Sequence, residues 1–412
     1  MRAVVTTEAR FLRTPDGRVW TLGGPARLFW ERYLVAFDRV RVVGRVLDTP
    51  EVPDGAIRVD GGAVEVWAVP CYVGPQQYLL RWPMIRRTVR AAAGGEDAVI
   101  LRVPSPIGSL LAAFRERQGL PYALEVVGDP YEVFAPGVVQ HPLRSVLRRW
   151  SSAQLIRQCR RAIGVAYVTE SALQKRYPAG SQAAVASFSS IELRPEAFVS
   201  EARVRRPHAS TAQAYTLVSV GSLEQMYKGV DTLIEALSRL TAAHFDIHLT
   251  HVGDGRFRSE LERLATRLAV SNRVTFTGIV PPGEAVRDLL DRADLFVMPS
   301  RTEGLPRALI EAMARGLPAV GSAVGGIPEL LSAEHLVPPD DPMLLANVIG
   351  SLLTDPAAMA AASIRNLERA CDFAEAPLAA RRSAYYRTVH AATERSRAHS
   401  SAVRFHASAY RQ

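Results

Sequence analysis

Disulfide chemistry has little to work with in this chain. Cys71, Cys159 and Cys371 lie far apart with no paired spacing, so neither a disulfide framework nor a zinc site is indicated, and they read as buried, reduced thiols. Long apolar runs are missing too. No stretch approaches the roughly 18 uninterrupted apolar residues of a membrane-spanning helix, and Met1 to Phe11 lacks the apolar core and cleavage signal of a secretion leader. The expectation is a cytoplasmic protein, unless it docks peripherally at the inner face of the membrane. No Gly-x-Gly-x-x-Gly follows a strand, which leaves a dinucleotide oxidoreductase without support.

What is present is length and a basic bias. The 412 residues suffice for two domains with full cores. Lys and Arg number 50 against 41 Asp and Glu, a net charge of +9 that favours anionic partners such as phosphates, nucleoside diphosphates or membrane head groups. The excess is too diffuse to argue for nucleic acid.

Two arrays of alternating strand and helix patterns follow one another, each implying a parallel sheet covered on both faces. In the first, strands are expected at Arg2 to Thr7, Val40 to Val46, Val64 to Val69, Asp97 to Val103, Tyr122 to Val127 and Val165 to Thr169. Helices are expected around Arg27 to Phe37, Gln76 to Ala92 and Ser109 to Gln118. Gly23, Gly24 and Asp129 sit in loops where that sheet would open towards a cleft. Each is more often a turn residue than a site.

Leu143 to Arg161 differs from its surroundings. Leu143, Val146, Leu147 and Trp150 recur at helical spacing among Arg144, Arg148, Arg149, Arg157, Arg160 and Arg161. Such a helix can lie on an anionic membrane. The commoner alternative is a surface helix with its apolar stripe in the core.

Periodicity disappears between Leu193 and Gln213, giving a first domain of 1–195 and a linker of 196–213. The second array, 214–372, carries expected strands at Ala214 to Val220, Asp246 to Val252, Arg273 to Thr277, Asp294 to Met298 and Ala319 to Gly321. A helical segment, 373–395, is expected to cross back to the first domain, and 396–412 reads as a loose tail.

Ser300 to Ser322 concentrates the chemistry. A short apolar strand delivers a Gly-Leu-Pro turn to a helix start at Pro306, where unpaired N–H groups and the positive end of the helix dipole suit a phosphate. Glu303 and Glu311 flank that point. A plainer reading makes Glu311 the centre of an Arg307–Glu311–Arg315 ion-pair stripe, worth about 0.2–0.5 kcal/mol per pair. Lys228, after a strand that ends at Gly221, would sit at another helix start of the same sheet.

The second array resembles the retaining glycosyltransferases of family four, which have the glycosyltransferase-B fold of two facing Rossmann-like domains. The motifs that carry the resemblance are V-S-V-G-S-L-E-Q-M-Y-K-G ending at Gly229, H-V-G-D-G at His251 to Gly255 and F-T-G at Phe276 to Gly278. M-P-S-R-T-E-G-L-P-R-A-L-I-E-A-M-A-R-G-L-P-A-V-G-S and V-G-G-I-P-E-L-L at Val324 to Leu331 complete it. The first array matches only in strand rhythm and length.

The resemblance implies sugar transfer from a UDP- or GDP-sugar to a hydroxyl of a glycan or lipid-linked acceptor, in cell-surface or extracellular polysaccharide synthesis. Donor contacts are implied at Gly221, Ser222, Lys228, Gly253, Glu303, Gly304, Leu305, Pro306 and Glu311. Glu303 would hold sugar hydroxyls and Glu311 the ribose, while the Gly304 and Leu305 amides and Lys228 would stabilise the departing phosphate. Gly23, Gly24 and Asp129 are the acceptor-side candidates.

The family commonly places an arginine where Ser222 stands, so a second cation must come from elsewhere. Arg307 is the candidate, with Arg301 a weaker one. No Asp-x-Asp occurs, and no metal or cofactor is expected. Two rivals stay open: a sugar-nucleotide epimerase or hydrolase on the same fold, and a degenerate scaffold of a polysaccharide assembly complex.

Overall fold

The computed structural model describes residues 1–134, 143–191, 193–203 and 214–409, with the backbone alone for 399–409. The first domain is built on one nine-stranded sheet: β1 (Arg2–Arg13), β2 (Val19–Thr21), β3 (Arg39–Asp48), β4 (Ile57–Arg58), β5 (Val64–Pro70), β6 (Ala98–Val103), β7 (Ala123–Val126), β8 (Gly164–Tyr167) and β9 (Ala184–Ser187). Strands β5-β3-β1-β6-β7-β8-β9 run parallel. The short β2 pairs antiparallel with the far end of β1 and with β4. The helices of this domain are α1 (Arg27–Glu31), α2 (Gly74–Leu80), α3 (Trp82–Arg90), α4 (Pro106–Arg117), α5 (Pro130–Val133), α6 (Arg144–Arg161) and α7 (Ala172–Arg176).

The second domain has six parallel strands in the order β12-β11-β10-β13-β14-β15. They are β10 (Tyr215–Val220), β11 (Ile247–Val252), β12 (Val274–Phe276), β13 (Leu295–Met298), β14 (Ala319–Ser322) and β15 (Leu336–Val337). Around them pack α8 (Val230–Ala242), α9 (Arg258–Arg267), α10 (Glu284–Arg292), α11 (Arg307–Ala314), α12 (Pro342–Thr354) and α13 (Pro356–Ala370), followed by α14 (Glu375–Ala409). Strands such as AVILRV in β6 and LFVM in β13 are buried almost throughout, as sheets covered on both faces require. This is the two-domain arrangement expected.

The differences have local causes. The helix expected over Gln76 to Ala92 is two helices that meet at Arg81, because Pro83 is tolerated only in a first turn. Strands β2, β4, β9 and β15 are two to four residues long, too short to show alternation. Helix α14 continues to Ala409, through most of the tail expected to be loose. Of the three cysteines expected to be buried, only Cys159 is, while Cys71 is half-buried and Cys371 exposed.

The expected linker is half attached. Arg203 donates to the carbonyls of Leu290, Ala293 and Arg315 at 3.0, 2.6 and 2.9 Å, which fastens 197–203 to the second domain. The rest of that segment, 204–213, lies outside the described residues.

Helix α14 returns to the first domain along β8 and β9. Tyr385 donates to the carbonyl of Leu124 at 2.8 Å. Glu125, fully buried in β7, accepts from the hydroxyls of Tyr33 and Tyr386 at 2.8 Å each and pairs with Arg32 and Arg102. Burial pushes its carboxyl up, but Arg102 and Arg32 outweigh that and hold it below the usual carboxylate range. Removing the one carboxylate strands two buried cations. Glu125→Gln is therefore expected to cost about 3–5 kcal/mol of stability in chemical denaturation, and a loss below about 1 kcal/mol would show that Arg32 and Arg102 find other partners.

Candidate functional site

The loops that follow β7 and β8 meet those that follow β13 and β14, so the carboxyl ends of the two sheets face each other. A Cβ added to Gly304 would lie 3.1 Å from the carbonyl oxygen of Val127, and one on Gly326 would lie 3.2 Å from the Thr169 side chain. Glu329 crosses the gap. Its carboxylate accepts from the amides of Glu170, Ser171 and Ala172 at 2.6, 2.9 and 2.7 Å, all at the start of α7. Arg369 adds a 2.7 Å pair with Glu170.

The Ser300 to Leu305 loop leaves β13 within this junction and enters α11 through Pro306, which caps the helix. Gly325, at φ +54°, explains the tight seating of the loop, since a Cβ there would fall 1.9 Å from the Glu303 carbonyl oxygen. Gly326 donates to the Gly304 carbonyl at 2.7 Å. Among the described residues, the N–H groups of Gly304 and Leu305 donate to no protein acceptor. Two free amides thus sit beside a helix N-terminus.

Lys228 reaches the same place from the second domain's first loop, its aliphatic chain lying over Gly221. Its ammonium donates to Glu303 Oε1 at 2.6 Å, and Ser300 Oγ donates to the same oxygen at 2.8 Å. Lys228 and Glu303, predicted separately, are direct partners. Ser300 was not singled out as part of this cluster. Its position three residues before Glu303 is the only signal that could have found it.

Two neighbours hold the lysine loop. His251 bridges the hydroxyl of Ser219 at 2.7 Å and the carbonyl of Gly221 at 3.0 Å. Burial pushes its pKa down to about 4, so at neutral pH it is an uncharged strut whose Nε2–H faces the carbonyl. Gly253 packs against that same carbonyl.

Arg301 is not available as a second cation. It forks onto Asp231 at 3.0 and 2.8 Å and pairs with Asp340 at 2.7 Å, tying the start of α8 to the end of β13. Ser222 is exposed and supplies no charge, its hydroxyl accepting from the Glu224 amide. Arg307 is exposed at the first turn of α11 and, among the described residues, holds no carboxylate within ion-pair distance.

The predicted ion-pair stripe is absent in its simple form. Arg315 forks onto Asp291 at 2.7 and 2.6 Å instead of meeting Glu311. Glu311 is largely buried, and burial raises its carboxyl above the usual range against the smaller pull of Arg307 and Arg287.

On the first-domain side, Asp129 caps α5 through the Tyr131 amide at 2.9 Å and also binds Tyr177 and Arg176. That gives its carboxylate a structural use. Gly23 and Gly24 lie in an exposed turn after β2, where the Gly24 amide donates to Thr21 Oγ1 at 2.8 Å. Leu143, just before α6, and Val146 and Trp150 within it are exposed, contrary to the core-facing alternative, while Leu147 is half-buried and Leu155 and Cys159 further along are buried.

Residues 214–355 match the family described as glycosyl transferases group 1. Protein CapJ of Staphylococcus aureus is 26% identical over 329 residues, covering 79% of this chain and 80% of its own. A GDP-mannose-dependent monoacylated alpha-(1-6)-phosphatidylinositol monomannoside mannosyltransferase of Corynebacterium glutamicum is 38% identical over 153 residues, 34% of this chain and 39% of that protein. Among solved structures, sucrose-phosphate synthase from Thermosynechococcus elongatus superposes with a TM-score of 0.71 at 21% identity, over 95% of this chain and 100% of that one. The family match is confined to the second domain, and the superposition shows that the whole chain has the glycosyltransferase-B fold.

The strained ionisation of Glu311 gives a sign that can be checked. Its folded pKa is raised, so the charged form costs stability above that pKa, and the cost vanishes below the unfolded value. Glu311→Gln is expected to melt higher than the parent protein at pH 7, with the difference gone near about pH 4. Equal melting temperatures at both pH values would mean that Glu311 is better solvated than its position implies.

Proposed function

We propose that the protein transfers a sugar from a UDP- or GDP-linked donor to a hydroxyl of a glycan or lipid-linked acceptor, with retention of anomeric configuration and without a metal. The observation that carries this reading is the cluster at the junction: free amides at Gly304 and Leu305, the α11 N-terminus, and Lys228 within 2.6 Å of Glu303. An anion placed there meets fixed dipoles and one cation in a partly dry setting, where such charges act most strongly.

In this reading the distal phosphate lies on the Gly304 and Leu305 amides, and Lys228 turns from Glu303 to the oxygen that gains charge as the glycosidic bond breaks. Glu303 then offers both oxygens to sugar hydroxyls. Glu311 accepts the ribose hydroxyls, and Arg307 supplies the charge that Ser222 does not. Gly221 and Gly253 let backbone approach the nucleotide. The departing phosphate takes the acceptor proton on the same face, so no enzymic base is required. Relatives named for GDP-mannose and phosphatidylinositol mannosides support a sugar nucleotide donor and a lipid acceptor. On this proposal the reaction belongs to cell-surface glycan synthesis at the inner membrane face.

Four measurements test it. A thermal-shift panel of nucleoside diphosphate sugars should single out one donor, which names both base and sugar. Lys228→Ala should lower kcat by about 10²–10³ with little change in KM, as expected for a group that acts on transition-state charge. Arg307→Ala should lower kcat/KM, and an unchanged rate would remove Arg307 from the site. Nucleoside diphosphate release that needs no acceptor would favour a hydrolase instead.

A further inference from the structure

The first domain carries an apolar cavity that the donor chemistry does not use. It occupies about 750 Å³ between α3, α4, α5 and α6, walled by Trp82, Leu110, Phe114, Val133, Leu147 and Trp150 among others. Its lining runs from Pro106 to Arg117, the two ends of α4, a length of about 17 Å at the helical rise. A space this elongated and apolar suits a chain rather than a polar sugar.

Its two ends differ. At one, Pro104 follows β6 and Pro130 opens α5 after β7, and Gly128 in the loop before α5 lies against Pro104. The neighbouring Val127 carbonyl touches Gly304, one residue from Glu303. This end borders the junction of the domains.

At the other end the walls include Arg86 and Arg117, both exposed and, among the described residues, in no ion pair. No Asp or Glu occurs anywhere in 66–95 or 133–169, the segments that contain α2, α3 and α6. Around the cavity the same helices leave Leu79, Leu80, Met84, Val146 and Trp150 in solvent, Leu80 at 83% and Trp150 at 63% exposure. Exposed apolar residues on a predominantly basic surface, whose Glu116 is taken up by Arg157 and Arg161, match an anionic bilayer, not water.

We propose that the cavity holds the hydrocarbon chain of a lipid-linked acceptor. The chain lies along α4 with the polar head at the domain junction and the tail leaving into an anionic membrane past Trp82 and Trp150. This rests on the transferase reading only for the identity of the head, since chain binding can be measured without turnover.

The test uses the full chain titrated with dodecyl phosphate and with butyl phosphate, both below micelle formation, followed by tryptophan fluorescence. Each buried methylene is worth about fourfold in affinity, so dodecyl phosphate should bind at least ~100-fold more tightly. Ala113→Trp fills the cavity from α4 and Gln154→Trp fills it from α6. Each should weaken dodecyl phosphate at least ~10-fold while the melting temperature is kept. Equal binding of the two phosphates, or unchanged affinity in whichever filled variant melts normally, would overturn the proposal. Chain binding in a protein that glycosylates no lipid acceptor would uphold the cavity and remove the lipid-acceptor part of the transferase reading. Glycosylation of lipid acceptors with no dependence on chain length would do the reverse.

Discussion

Everything proposed for this molecule depends on two sheets presenting their carboxyl ends to each other, and Glu329 is the contact that sets the distance. Its carboxylate sits on three consecutive amides at the start of α7, so a charge from one domain satisfies the unpaired donors of the other. Helix α14 supports the same arrangement from behind, with Tyr385 and Tyr386 pinned to β7. A clasp of hydrogen bonds in partly exposed surroundings can open at modest cost, unlike an apolar interface. The junction is therefore held in register without being sealed.

Much of the second domain was legible because its strands are short apolar runs ended by glycine and proline, where local pattern and final structure agree. The first domain was legible in rhythm but not in detail. Strand β9 and the β2–β4 extension are formed by pairing with neighbours distant in sequence, which no local period reports. Pro83 was a visible breaker that a long helical pattern concealed. At the site, Lys228 and Glu303 could be named from their loops, but their 2.6 Å contact is tertiary. Arg301 shows the opposite limit, since an arginine two residues before a glutamate in a phosphate-ready loop gives no sign of its engagement with Asp231 and Asp340.

The Lys228–Glu303 pair also sets the electrostatics of the proposed site. The two charges neutralise one another, so neither is left partly buried and unpaired. Among the described residues Glu311 has no such partner, and its burial raises its carboxyl. Stability is given up at one carboxylate and protected at the other.

The contact between Gly325 and the Glu303 carbonyl oxygen has a consequence for how such a protein can change. Because 303–304 and 325–326 are fitted backbone to backbone, with a Cβ at Gly325 falling 1.9 Å from an oxygen, neither loop can gain or lose a residue without displacing the other. Divergence at this end of the cleft is confined to exchange of side chains on a fixed frame. Among the described residues no first-domain glycine is fitted as closely, so insertions and deletions are expected to accumulate in that domain's loops.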